Sequence, residues 1–118
     1  MTPARFAETA LALPGTVLDL KWGGLQVFTV AGKMFAHAGR VGEPAPRYAF
    51  KASPTAYALL IESGEATPAP YFARLGWVRL ASSDVLQDAD LARYVALAHG
   101  LAARTLTVKA RQTLGLPV

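Results

Sequence analysis

The chain has 118 residues, 53% of them hydrophobic, and no cysteine. This size and composition suit one domain with a single core, and the lack of cysteine excludes disulfide frameworks, thiolate metal sites and cysteine nucleophiles. Twelve basic against eight acidic residues give a net charge of +4, which either attracts an anionic partner or serves only solubility.

We recognise no targeting signal in the sequence that would place the protein outside the cytoplasm. The N-terminus lacks the basic leader and continuous apolar core of a signal peptide. No run approaches the ~18 apolar residues of a membrane-spanning helix. We therefore expect one cytoplasmic domain over residues 1–118.

The N-terminal residues predict a helix followed by a strand. Thr2 and Pro3 are typical of a helix start, and Pro14-Gly15 would end that helix. Apolar and polar residues then alternate from 16 to 22, which predicts a half-buried strand with Leu18, Leu20 and Trp22 on its buried side.

A hairpin is predicted next. Residues 25–30 and 33–37 are rich in branched and aromatic side chains and are separated by Ala31-Gly32. His37 would end the second strand. The segment GRVGEPAP at 39–46 contains two glycines and two prolines, which predicts an exposed basic loop.

Residues 47–51 predict a strand with two different faces. Tyr48 and Phe50 alternate with the cations Arg47 and Lys51, so one face would be buried and aromatic and the other wet and basic. We expect the basic face to be available for binding.

A helix, a loop and a further strand follow. Ser53-Pro54 is typical of a helix start, and Gly64 lies where a left-handed cap would end that helix. A loop with two prolines leads to a strand at 77–80. In that strand Trp77 and Arg79 would point to the same face.

The last third of the chain predicts a long helix and a short one. Asp88 can cap the long helix, and Thr107 can cap a short helix over 108–114 that Gly115 and Pro117 would stop. The long helix carries an apolar stripe formed by Leu91, Val95, Ala98 and Ala102. The elements together predict an α+β domain with an N-terminal helix, an antiparallel sheet of about five strands, a middle helix and a long C-terminal helix.

Catalytic patterns are not evident. His37 and His99 lack a neighbouring serine, cysteine or carboxylate that would suggest a proton relay, and Ser53 is explained by helix capping. The glycine pairs Gly23-Gly24 and Gly39/Gly42 lack the lysine and serine of a phosphate-binding loop. We expect no enzyme activity, no metal and no cofactor.

Cations interleaved with aromatic residues are the remaining signal. Seven of them fall in predicted hairpins, strands and loops: Lys21, Lys33, Arg40, Arg47, Lys51, Arg74 and Arg79. They favour weak, sequence-tolerant contact with DNA phosphates. The alternative is a small interaction domain, similar to a chaperone, that binds a protein segment or a small ligand and whose cations are only its wet face.

Several short segments, in this order and spacing, resemble the MmcQ/YjbR family. The segments are Pro14-Gly15, VAGKMFA at 30–36, FKASP at 50–54, Pro70-Tyr71, GWV at 76–78 and the helix start at 88–91. The resemblance covers nearly the whole chain. Its most specific parts are residues 51–54 and Trp77.

The resemblance implies a compact α+β domain similar to secretion-chaperone and CyaY-like folds. It also implies DNA binding through a double-wing arrangement of hairpins, which is an inference from fold. Val17, Gly76 and Ala98-His99 stand where the family often has an acidic residue, a histidine and a serine-tyrosine pair. A site built from those polar residues would be missing here.

Overall fold

The computed structural model describes residues 1–116 as four α-helices around a six-stranded sheet. The helices are α1 (Pro3–Leu11), α2 (Pro54–Glu62), α3 (Asp88–Ala103) and α4 (Val108–Thr113). The strands are β1 (Thr16–Lys21), β2 (Leu25–Val30), β3 (Lys33–Arg40), β4 (Ala49–Lys51), β5 (Ala66–Pro68) and β6 (Trp77–Leu80). The predicted α+β class and the three main helices are confirmed.

The sheet has the order β1-β2-β3-β4-β6-β5, and every neighbouring pair is antiparallel. The predicted hairpin around Ala31-Gly32 is confirmed. The segment predicted as a proline loop contains one more strand, β5, which pairs with β6 at the sheet edge. Proline is tolerated on an edge strand because its missing N–H removes no bond from the sheet interior.

Two predicted helix starts are confirmed. The side chain of Thr2 accepts a hydrogen bond from the amide of Arg5 at 3.2 Å, and Ser53 accepts one from the amide of Ala56 at 3.2 Å. In both helices a proline follows the capping residue. Such caps satisfy amides that have no partner within the helix.

The prediction that Asp88 caps the long helix is wrong. Gln87 holds the N-cap position without a side-chain hydrogen bond, and Asp88 is the first helical residue. Its carboxylate instead lies 3.4 Å from the amino group of Met1. Thr107 does cap α4, through the amide of Ala110. Pro117 lies outside the described residues.

The main core lies on the sheet face that packs against α1 and α3, which we call the helix face. Phe6 of α1 stacks on Tyr48, with ring centroids 4.3 Å apart. Tyr48 and Phe50 are fully buried on this face, as predicted. Burial, with a smaller contribution from Asp88, raises the pKa of Tyr48, whose hydroxyl donates to the Met1 carbonyl at 2.6 Å.

The predicted burial of one side of β1 is wrong. Leu18, Leu20 and Trp22 are 39%, 63% and 59% exposed. The reason is position in the sheet, since β1 is an edge strand and α3 packs on β2, β3 and β4. Alternation in the sequence shows which residues share a side but not whether a helix covers it.

Candidate nucleic-acid interface

The opposite side of the sheet, which we call the arginine face, has its own small aromatic cluster. Trp77 is 2% exposed and packs against Ala49 and Ala69. Phe72 stacks on its indole with centroids 4.8 Å apart. The residues before β6, from 69 to 75, therefore cover this part of the face. Trp77 and Arg79 share this face, as predicted.

His37 forms part of the same cluster. β3 continues to Arg40, so the prediction that His37 ends the strand is wrong. The imidazole is 8% exposed, and its centroid lies 6.1 Å from that of Trp77 and 5.8 Å from that of Phe72. Its Nδ1 accepts the amide of Gly39 at 3.2 Å, so in the neutral ring Nε2 carries the proton.

The charge state of His37 follows from this position. Burial, and then the charges of Arg79 and Arg40, lower its pKa to about 4. A buried imidazole surrounded by cations disfavours a further positive charge. At neutral pH His37 is therefore an uncharged donor and acceptor beneath the arginines.

A β-bulge brings Arg40 to this face. Leu25 pairs with Arg40, whereas Val27, two residues further along β2, pairs with His37. The partners are three residues apart in β3, so β3 contains one extra residue between them. Such a bulge re-aims the following side chain. Arg40 therefore lies on the same side as His37, which alternation alone would not give.

Three of the seven predicted cations meet at one cavity. Arg40, Arg47 and Arg79 line a cavity of about 300 Å³ together with His37, and we call it the arginine cavity. Within residues 1–116 no carboxylate lies within 4.0 Å of any of the three guanidinium groups. Three cations against a single carboxylate among the lining residues make this cavity a net positive concave site.

Arg79 is the least solvated of the three. Its Nε is buried and has no hydrogen-bond partner among the described residues. Burial and the charge of Arg47 lower its pKa, while Glu43 acts in the opposite direction. Arginine nevertheless stays protonated in proteins. Arg79 is thus a protonated, partly buried guanidinium at the wall of the cavity.

Glu43 is a carboxylate at the wall of this cavity. A β-carbon added at Gly39 would lie only 2.4 Å from Glu43 Oε2, so the carboxylate rests directly against the glycine. Gly39 also has a φ of +78°, which favours glycine. Glu43 thus offsets part of the positive charge without forming an ion pair within 4.0 Å.

The other four predicted cations lie elsewhere. Lys33 and Lys51 line a separate cavity of about 350 Å³ beside Trp77, and Lys51 Nζ lies 3.5 Å from the Leu75 carbonyl. Lys21 Nζ lies 5.8 Å from the ring centroid of Trp22. Arg74 is exposed in the 3₁₀ turn Ala73–Leu75.

A model of the YjbR family matches residues 11–101. The chain belongs to the YjbR family. The crystal structure of the Deinococcus radiodurans protein DR2400, described with a DUF419 domain, superposes with a TM-score of 0.84 at 20% identity, covering 98% of this chain and 92% of that chain. No curated protein matches the sequence.

The likeness to DR2400 shows the fold of this YjbR-family chain. Within the described part, none of its helices is both long and apolar enough to cross a bilayer. No three His, Asp or Glu side chains among residues 1–116 cluster so as to hold a metal ion.

Two further residues considered for catalysis have structural partners. His99 Nε2 lies 2.8 Å from the carbonyl of Pro14, and its ring packs edge-on against Phe35. Ser53 caps α2. Neither histidine hydrogen-bonds a serine or a carboxylate in the region the structure describes.

The sequence analysis did not assign His37 or Glu43 to a binding site, although both line the arginine cavity. A usable signal existed for His37, because MFAHA at 34–38 is a nearly continuous apolar run, as in strands buried on both faces. Gly39 within β3 is a signal for the bulge that turns Arg40, whereas the packing of Glu43 on Gly39 leaves no comparable mark in the sequence.

Proposed function

We propose that this YjbR-family protein is a non-enzymatic cytoplasmic protein that binds nucleic acid through the phosphates. The observation that carries the proposal is the convergence of Arg40, Arg47 and Arg79 on one cavity without a paired carboxylate. Guanidinium groups bind phosphate oxygens in a bidentate manner, and such charge-assisted hydrogen bonds are stronger than neutral ones.

The remaining cations lie outside this cavity and would supply further phosphate contacts. Lys21 ends β1 and Lys33 begins β3, beside the turns of the β1–β2 and β2–β3 hairpins. In this proposal these hairpins are the two wings that the family resemblance implies. Phosphate contacts carry no sequence information, so we expect weak, sequence-tolerant binding.

Salt dependence tests the proposal directly. Fluorescence anisotropy with a labelled DNA duplex should give a log–log plot of affinity against salt with a slope steeper than about −2, because each neutralised phosphate contributes about −0.9. Arg47→Gln should reduce the magnitude of that slope by about one unit.

Arg93→Gln is the matched control. Arg93 lies exposed on α3, on the helix side of the molecule, and among residues 1–116 it forms one ion pair, with Asp90 at 3.5 Å. Its loss removes the same charge from the opposite side of the molecule and should leave the slope unchanged. Affinity that does not change between low and physiological salt would refute phosphate binding.

A small anionic ligand is a second candidate, favoured by the size of the arginine cavity. Its volume of about 300 Å³ lies at the lower end of the range for ligand pockets. Calorimetric titration with a phosphomonoester distinguishes the two. Saturable binding that salt hardly weakens, together with no binding of DNA, would favour the small ligand.

A further inference from the structure

Two exposed aromatic side chains lie beside the arginine cavity. Tyr71 is one of its lining residues and is 98% exposed. Trp22 is 59% exposed, its carbonyl accepts a hydrogen bond from the guanidinium of Arg40, and its ring centroid lies 6.2 Å from that of Phe72. Cations and accessible aromatic rings therefore occur together on the arginine face.

Both aromatic residues have an unusual backbone conformation. Among residues 1–116 three non-glycine residues have positive φ: Trp22 at +43°, Ala31 at +48° and Tyr71 at +68°. The left-handed region is unfavourable for residues with a β-carbon, and tyrosine and tryptophan lack the short polar side chain that lessens the cost for asparagine.

The positive φ of Tyr71 forms part of a tight turn. The amide of Phe72 donates to the carbonyl of Ala69 at 3.1 Å, so Pro70 and Tyr71 are the central residues of a β-turn. Proline followed by a residue with positive φ is the arrangement of a type II turn, in which glycine is preferred at the second central position. Tyrosine there gains little packing, because the side chain is 98% exposed.

We propose that Tyr71, assisted by Trp22, stacks on an unpaired base, and that the arginine cavity holds the adjacent phosphate of a single strand. This inference rests on the proposed function and specifies its partner. Single-stranded nucleic acid is bound by cationic grooves with aromatic platforms, because its base faces are accessible. In a duplex those faces are already stacked.

Glycine at position 71 separates stacking from folding. Tyr71→Gly suits the turn, so its melting temperature should equal or exceed that of the wild type. Its affinity for a labelled single strand should fall at least about fivefold, the lower bound for losing one base–aromatic stack. Tyr71→Phe keeps the ring and should bind within about twofold of the wild type.

Ala31→Gly is the matched control, because it relieves the same kind of backbone conformation at the β2–β3 turn. It should not weaken binding. The wild type should also bind the single strand more tightly than a duplex of the same sequence, and Tyr71→Gly should lose that preference.

The outcomes separate the two proposals. Equal affinity for both forms, unaffected by Tyr71→Gly, would overturn stacking while leaving phosphate binding in place. A Tyr71→Gly variant that loses duplex and single-strand affinity to the same extent would also overturn it. Failure of the wild type to bind either form would overturn both proposals.

Discussion

The two faces of the sheet use the same strands for different purposes. On the helix face, Val78 and Leu80 of β6 join a large apolar core under α1 and α3. On the arginine face, Trp77 of the same strand packs in a small cluster under residues 69–75, and Arg79 lines the neighbouring cavity. A thin aromatic layer can support partly buried cations that the main core could not accommodate. We infer that the helix face holds the main core, and that the arginine face adds a thinner packed layer and carries the proposed binding site.

The largest expected effect is that of Trp77→Ala. Truncating this buried indole should lower the free energy of unfolding by about 3–5 kcal/mol, because it leaves a cavity beneath Phe72 and His37. Denaturant titration measures this. If Trp77 were instead a solvated stacking platform, its midpoint would hardly change, and the account of the arginine face as a packed layer would be wrong.

The next largest effect is on the pH dependence of the unfolding free energy, and it comes from His37 on the arginine face. Unfolded His37 takes up a proton near pH 6.5, whereas the folded protein resists protonation down to about pH 4. Stability should therefore be lost as the pH falls from about 6.5 to 4, by up to about 3 kcal/mol from this group.

His37→Asn isolates that contribution, because its side-chain oxygen can still accept the Gly39 amide and does not titrate. The difference in unfolding free energy between wild type and variant should shift in favour of the variant as the pH falls. A difference that stays constant from pH 7 to 4 would show that His37 is not held neutral by its burial.

A smaller effect on stability is expected at Ser53, which lies at the junction between β4 and α2. β4 points Phe50 to the helix face and Lys51 to the arginine face, and α2 follows directly. Ser53→Ala should cost about 0.5–2 kcal/mol through the lost cap, while Ser53→Asp should keep most of the stability since aspartate also caps. If both variants were equally unstable, or if a serine-reactive probe labelled Ser53, capping would not explain this residue.

The smallest effect on stability is expected at the arginine cavity itself. Arg47→Gln, at an exposed arginine of the cavity, should change the unfolding free energy by less than about 0.5 kcal/mol and weaken nucleic-acid binding. Glu43→Gln should tighten binding, because it removes a carboxylate from the cavity wall. Anisotropy titrations of the two variants measure these opposite changes, and a change of the same sign in both would contradict a role for charge.

Local signals predicted most of the helix face. Alternation of Tyr48 and Phe50, and capping by Thr2 and Ser53, act within a few residues, so one sequence suffices to find them. The sequence favours Asp88 as the cap because aspartate is a good capping residue, yet Asp88 is the first helical residue and its carboxylate lies near the α-amino group of Met1. That contact joins residues far apart in the chain and leaves no local pattern.

The arginine face was predictable only in part. The sequence identified all three arginines of the cavity but grouped them with four cations that lie elsewhere. A one-residue bulge in β3 decides where Arg40 points, and Gly39, with a φ of +78°, is its mark in the sequence, although a glycine alone does not show which way the next side chain turns. Contacts between residues distant in the sequence likewise decide whether a strand lies at the edge or in the centre of the sheet. This explains why alternation alone predicts a half-buried β1.

The most direct test of this division is an NMR titration that observes both faces at once. Backbone amides and the two tryptophan indoles would be followed while a single-stranded oligonucleotide of about 12 nucleotides is added. We predict that signals from residues 37–47 and 70–72 and the Trp22 indole shift, while those of α3 remain in place. Shifts concentrated on α1 and α3, with the arginine cavity unaffected, would contradict the assignment of binding to the arginine face.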